Sequence, residues 1–245
     1  MNDVINLLKS HRSIRKYMQK PVEEDKVKAI IEAAQSASTS SFIQAYTIIR
    51  VEDREKRKKI AKLAGEQSYV EECPLFLVFC ADLNRHKLAC KMNKVEMVEG
   101  YTESFITATV DAALAAQNAM VAAESMGLGG VYIGGIRNNP DEVSRLLNIP
   151  VNAYPLFGMC LGYPDENPGT KPRLPMDLVL KVDEYTIEGD EERLRAYDEI
   201  VKEYYLERTD GKREDTWTGM MAKMMSKVIR PHMKGFLEKQ GFRMK

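Results

Sequence analysis

Two hydrophobic periods alternate along this chain. After Pro21 and the acidic run Glu23-Glu24-Asp25, the residues Val27, Ile30, Ile31 and Ala34 recur at helical spacing, and the acidic first turn suits the positive end of a helix dipole. Val4 to Leu8 starts an earlier helix that Ser13 to Tyr17 leaves, and the serine patch from Ser38 to Ser41 ends the second one. Ala45 to Val51 reads as a strand, Arg54 to Ala64 as a basic-faced helix, and Leu75 to Ala81 as an apolar strand buried on both faces. A helix near Arg85 to Lys91 precedes Glu103 to Met126, a helix of about 24 residues, long enough at about 1.5 Å per residue to cross a domain. Val131 to Gly134 is a short strand, Asn139 and Pro140 read as N-cap and first residue of a helix through Leu147, and Tyr154 to Gly162 is a further apolar strand.

Beyond Asp177 the texture changes. Glu191 to Arg208 carries Leu194, Tyr197, Ile200, Val201, Tyr204 and Tyr205 along one side; a polar turn, Thr209 to Asp215, follows, then a methionine-rich helix or two from Trp217 to Gln240 with Pro231 as a break. Helices flanking a few strands predict a mixed α and β core over residues 1–180 and a helical extension over 181–245. Trp217, Met220, Met221, Met224, Met225, Ile229 and Phe236 need apolar surface to lie on, and the methionines between 220 and 225 read as packing. Phe105 to Leu128 has the length of a membrane span, but Asp111, Gln117, Asn118 and Glu124 interrupt it, which predicts a buried helix instead.

Composition narrows the function. The 245 residues hold 36 Lys and Arg against 36 Asp and Glu, so no global field draws the chain to nucleic acid or membrane and any positive site is local. The four cysteines, Cys73, Cys80, Cys90 and Cys160, make no CxxC pair, and the three histidines share no ligand spacing, which argues against a disulfide framework and a metal site. The first ten residues lack the apolar stretch of a secretory peptide, and the cytoplasm is the expected location.

Four separated pieces carry candidate chemistry. In His11-Arg12-Ser13-Ile14-Arg15, extended alternation sends positions 11, 13 and 15 to one face; standing alone, the pentapeptide also reads as a solvated basic patch. Ser38-Thr39-Ser40-Ser41-Phe42 alone would be a helix-terminating loop. The glycines at 127, 129, 130, 134 and 135 do not fit the GxGxxG fingerprint; Gly127 suits a left-handed helix cap, and Gly134 and Gly135 would let a flat ring approach the main chain. Lys171 and Arg173 flank Pro172, whose stiffness points both cations where a phosphate could lie, and an exposed charged loop is the alternative.

In this order the four pieces resemble the nitroreductase superfamily, and within it the NADPH-dependent, FMN-containing nitroreductase and flavin reductase group. The resemblance runs from about Leu7 to the last helix and is most specific at Tyr132-Ile133-Gly134-Gly135-Ile136-Arg137-Asn138-Asn139. It implies an α+β nitroreductase-like fold: a central mixed or antiparallel sheet flanked by helices around a long core helix, with a helical C-terminal extension wrapping the other subunit of a homodimer. It implies FMN held by His11, Arg12 and Ser13 near the phosphate, Arg15 near flavin N1 and O2, hydroxyl and amide donors from Ser38, Thr39, Ser40 and Ser41, ring-edge contacts from Gln44 and Gln67, Tyr132, Ile133, Gly134 and Gly135 beside the flavin, and Lys171 and Arg173 on the phosphate and ribityl end. Arg208, Lys212 and Arg213 stand where the group recognises NADPH, although Glu207, Asp210 and Glu214 dilute the charge and leave a solvated loop as the alternative, with NADH as a possible donor. The implied activity is ping-pong hydride transfer to nitroaromatics, quinones or free flavin, with no catalytic side chain beyond the tuning by Arg15. A flavin-binding redox-sensing or partner-interaction module is the alternative reading.

Overall fold

The apolar runs become the strands. In the computed structural model, which describes residues 2–245, β1 (Tyr46–Arg50), β2 (Leu75–Asp82), β3 (Gly129–Ile133) and β4 (Ala153–Gly162) form one sheet in the order β1-β2-β4-β3. Every neighbouring pair is antiparallel. Of the expected mixed or antiparallel sheet, the antiparallel form is the one present, and the parallel element is an isolated bridge between Ser13 and Gly130.

The sheet belongs to a unit of Met1–Pro168 and Arg230–Lys245. Its helices are α1 (Asp3–Lys9), α2 (Glu24–Gln35), α3 (Arg54–Leu63), α4 (Tyr69–Glu72), α5 (Asn84–Met92), α6 (Thr102–Ser125) and α7 (Pro140–Leu146). β2 is buried along its whole length and sorts its residues by parity. Leu75, Leu77 and Phe79 pack with Val27 and Ile30 of α2 and with Ala112, Ala115, Ala116 and Ala119 of α6. Phe76, Val78 and Cys80 join Ile60, Ala64 and Val70 on the other side. A sheet between two helical layers explains why this strand alternates in direction but not in polarity.

Alanine gives α6 both high helix propensity and a thin inner face on which α2 and the sheet approach closely. By length and composition α6 could cross a membrane, yet one side of it is core and carries the fully buried Asp111. It ends as expected at Gly127, whose φ of 80° is left-handed. Asn139 precedes α7 but makes no side-chain cap; its Nδ2 instead donates to the Leu63 carbonyl at 2.8 Å.

The second unit, Gly169–Ile229, contains α8 (Met176–Val179), α9 (Asp190–Arg208) and α10 (Trp217–Met225). Tyr197, Val201 and Tyr205 are its buried centre, with Trp217 and Met220 packed on them, so Met220 serves as packing. The expected boundary between residues 180 and 181 does not coincide with this division. Nor is the tail one body: α11 (Met233–Lys239) belongs to the first unit, where Phe236, Leu237 and Phe242 bury themselves with Ala45, Ala108 and Tyr154. Arg230 Nε donates to Asn138 Oδ1, and His232 Nε2 donates to the Arg137 carbonyl, both at 2.9 Å, which fixes the chain where it re-enters.

Candidate functional site

Main-chain bonds hold residues 11–15. Ile14 N–H donates to the Gly130 carbonyl at 3.0 Å beside the Ser13–Gly130 bridge, and the Ile14 side chain is 2% exposed among Val131, Ile133 and Cys160. With Ile14 inward, alternation turns Ser13 and Arg15 outward, and Arg15 is exposed. Glu166 Oε1 accepts the amides of Arg15 (2.5 Å) and Lys16 (3.1 Å), which pins the segment from its far side. His11 Nδ1 donates to Glu124 Oε1 near the end of α6 at 2.7 Å, leaving Nε2 for a ligand.

Arg12 supplies the test of what this segment can hold. Its Nη1 donates to the Ser10 carbonyl at 3.3 Å, while its Nε is buried with no hydrogen-bond partner among the described residues. A hidden donor on a guanidinium is costly unless an anionic oxygen meets it, and a phosphate is the group whose oxygens match that fork. The buried Arg12 donor therefore fits a phosphate such as that of FMN.

In the turn after β3, two positions are shaped by the protein's own packing. Ile133 is 1% exposed, so only its main chain can face a ligand. At Gly135, a Cβ would overlap the Ala64 carbonyl oxygen and come within 2.8 Å of Gln67 Nε2; the missing side chain makes room for the protein's own helix end rather than for a flat ring. Gly134 is less confined, its nearest neighbour being the end of the Arg137 side chain at 3.2 Å. Gln67 does stand beside this turn, oriented by the Ala64 carbonyl (3.0 Å) and the Tyr69 hydroxyl (2.8 Å). Tyr132 lies edge-on to Phe157 at 5.1 Å and donates to Gln117 Oε1 at 3.2 Å; burial pushes its phenol pKa up, so it remains a neutral donor.

Up to Ala45, whose carbonyl accepts the Asp82 amide at 2.9 Å, the serine loop is held to the rest of the protein by side chains. Ser41, Phe42 and Gln44 adopt φ of 46°, 60° and 56°, left-handed conformations that each cost roughly 1–3 kcal/mol in residues other than glycine. Asp111 Oδ1 accepts the Ser40 amide and Oδ2 accepts the Ala45 amide, both at 3.0 Å, and His86 Nε2 donates to the Ile43 carbonyl at 2.6 Å. Phe42 is 84% exposed, and Gln44 Nε2 donates to its carbonyl at 3.4 Å. The Ser40 amide is thus engaged, and its hydroxyl is what it can offer a ligand.

In the second unit, Lys171 and Arg173 line a groove of about 580 Å³ with Tyr197, Tyr204, Trp217 and Met220. The Tyr197 hydroxyl donates to the Pro172 carbonyl at 3.1 Å and fixes the proline between the two cations. The dinucleotide cluster is partly engaged within its own unit: Arg213 pairs with Asp215 and lies 4.6 Å over the Tyr205 ring, and Arg208 donates to the Tyr204 hydroxyl at 2.5 Å. Lys212 is exposed.

Asp111, Glu124, His86 and Glu166 were absent from the expected site, because each acts on a segment 43 to 151 residues away. Asp111 and Glu124 left one signal, as acids interrupting an otherwise apolar helix.

Comparison with known proteins places the chain in a family. The profile of the Nitroreductase family matches residues 8–163, and that of the Nitroreductase family, C-terminal domain, matches residues 171–245. An oxygen-insensitive NADPH nitroreductase of Salmonella typhimurium is 46% identical over 242 residues, 99% of each chain. The structure of NfrA1 from B. megaterium superposes with a TM-score of 0.96 at 51% identity, covering 99% of this chain and 100% of that one. The NADPH:FMN oxidoreductase from Vibrio harveyi, solved with NAD+, gives 0.91 at 40% identity, with complete coverage of both. By its sheet, its site segments and these full-length likenesses, the chain belongs to the nitroreductase family.

Proposed function

We infer that this protein is an FMN-dependent oxidoreductase that takes hydride from NADPH and reduces small electron-poor acceptors: nitroaromatics, quinones and free flavins. The observation that carries the reading is the Arg12–Arg15 segment, with one buried guanidinium donor lacking a partner among the described residues and a second guanidinium exposed on an extended segment bridged to β3 at Ser13. Bound FMN would supply the two-electron carrier. Arg12 and His11 would bind its phosphate and Arg15 would favour negative charge at the ring edge, while Lys171 and Arg173 would offer further cations to a phosphate. With one bound carrier serving both, donor and acceptor would be turned over alternately and ping-pong kinetics are expected, while Lys212 with Arg208 and Arg213 would attract the 2′-phosphate of the donor.

The active form is a homodimer in this reading. Glu124, which holds His11, and Asp111, which holds Ser40, are thirteen residues apart on α6, about 20 Å along its axis. The phosphate-binding segment and the serine loop of one chain therefore anchor far apart, and a second copy brings its loop to each site. Ile106, Val110 and Leu114 on the outer side of α6, and Val4, Ile5 and Leu8 on α1, are exposed apolar residues suited to self-association. We assign the protein to the cytoplasm, where its four free cysteines stay reduced.

Purification tests the reading. A yellow protein bleached by NADPH and restored by a quinone, with parallel double-reciprocal plots and a dimer mass in solution, is the expected result. Bound flavin without turnover would favour a sensing module, and a colourless protein that ignores added FMN would end the reading.

A further inference from the structure

We propose that Asp111 is a positioning residue for the flavin site: its buried carboxylate, and no uncharged substitute, sets the conformation in which residues 40–45 meet the cofactor. The proposal rests on the reading of this loop as flavin-facing.

Asp111 is 0% exposed and sits on the alanine-rich inner face of α6 between Ala108 and Ala112. A carboxylate in such surroundings is retained only if strong donors meet both oxygens. Here both donors are main-chain amides, Ser40 on Oδ1 and Ala45 on Oδ2. They bracket the loop, and between them lie its three left-handed residues. The two bonds thus fix the ends of a strained segment relative to a rigid helix, while His86 holds the middle through the Ile43 carbonyl. Asparagine has the same shape but one acceptor atom; its NH2 would confront an amide N–H that also needs an acceptor. The anion further places negative charge beneath the loop, which disfavours a phosphate there and suits the ring end of the ligand. Because Asp111 adjoins the exposed Val110 on α6, the helix proposed as the dimer face also sets the loop delivered to the partner site.

Two variants test this independently. Asp111→Asn removes one acceptor. Ser40→Pro removes one donor from the loop side: Ser40 opens a short 3₁₀ turn, where proline fits, and Thr39 already has the extended φ of −130° and ψ of 154° required before proline. Amide hydrogen exchange without added cofactor should accelerate about tenfold or more over residues 38–45 in each variant, with β2 unchanged. FMN affinity should fall about tenfold, the visible absorbance of the bound flavin should shift, and the double variant should be no worse than the worse single one, because the asparagine oxygen can then serve the Ala45 amide while its NH2 faces a proline that donates nothing. If Asp111→Asn fails to fold, Ser40→Pro decides the matter alone. Wild-type exchange, affinity and spectrum in a variant, or additive losses in the double variant, would overturn the positioning role while the flavin reading stands. Absence of FMN binding by the wild-type protein would overturn both.

Discussion

Residues 11–15 and residues 38–45 are both assigned to one cofactor, yet they are built on opposite principles. The first segment is joined to β3 by main-chain bonds, anchored by Ile14 in the core and clamped by Glu166. Its charged groups are thereby left free to bind. The second meets the main chain of the sheet at its very end, where the Ala45 carbonyl accepts the Asp82 amide at 2.9 Å; before that it contains three left-handed residues and is held by Asp111 and His86. Redundant anchoring suits the fixed task of gripping a phosphate. A loop held largely by side chains can be altered without dismantling the core.

Ile14→Ala gives the largest expected effect, a loss of about 2–5 kcal/mol in denaturant unfolding. Phe42→Ala, at an exposed loop position, should change stability by less than about 0.5 kcal/mol; equal losses would break the comparison. Arg12→Ala should then weaken FMN binding by about 1.5–3 kcal/mol, roughly tenfold to a hundredfold, in a calorimetric titration with the fold intact. Lys171→Ala combined with Arg173→Ala should act in the same direction, and undiminished affinity would remove those cations from the phosphate. Arg15→Ala should retain FMN better but lower its midpoint potential by about 30 mV, equivalent to about 1.4 kcal/mol for two electrons, and slow hydride acceptance. An unchanged potential in spectroelectrochemistry would exclude that role.

The smallest effect concerns the start of α2, whose far end leads into the serine loop. The Tyr163 hydroxyl donates to Glu23 at 2.6 Å and holds its carboxyl down at about 2, below the ordinary 4.5. A depressed carboxyl means that the folded state binds fewer protons, so this contribution is complete above pH 4.5 and is lost as pH falls toward 2. Glu23→Gln should flatten that acid limb of the stability profile, and an identical limb would sever the link between α2 and β4.

Much of this molecule could be read one element at a time. The apolar runs of β2 and β4, the alanine-rich α6 with its glycine stop, and the break at Pro231 between α10 and α11 are local consequences of side-chain pattern and backbone restriction. The cations proposed for the site were chosen in the same local way, since binding an anion needs guanidinium and ammonium groups wherever the fold puts them. The expected use of Gly135 differed because a glycine reports close approach but not by what; the approaching group is the Ala64 carbonyl. Contacts such as His11 with Glu124, Glu166 with Arg15, Asp111 with Ser40 and α11 with the core join residues far apart in the chain. Hydrophobic periodicity carries no record of such pairings, because it fixes which face of an element is buried but not which polar group on another element will meet it. The sequence by itself therefore determined the elements and the chemistry available at their ends. Tertiary packing decided which donors remain free for a ligand and which are consumed in holding the site together.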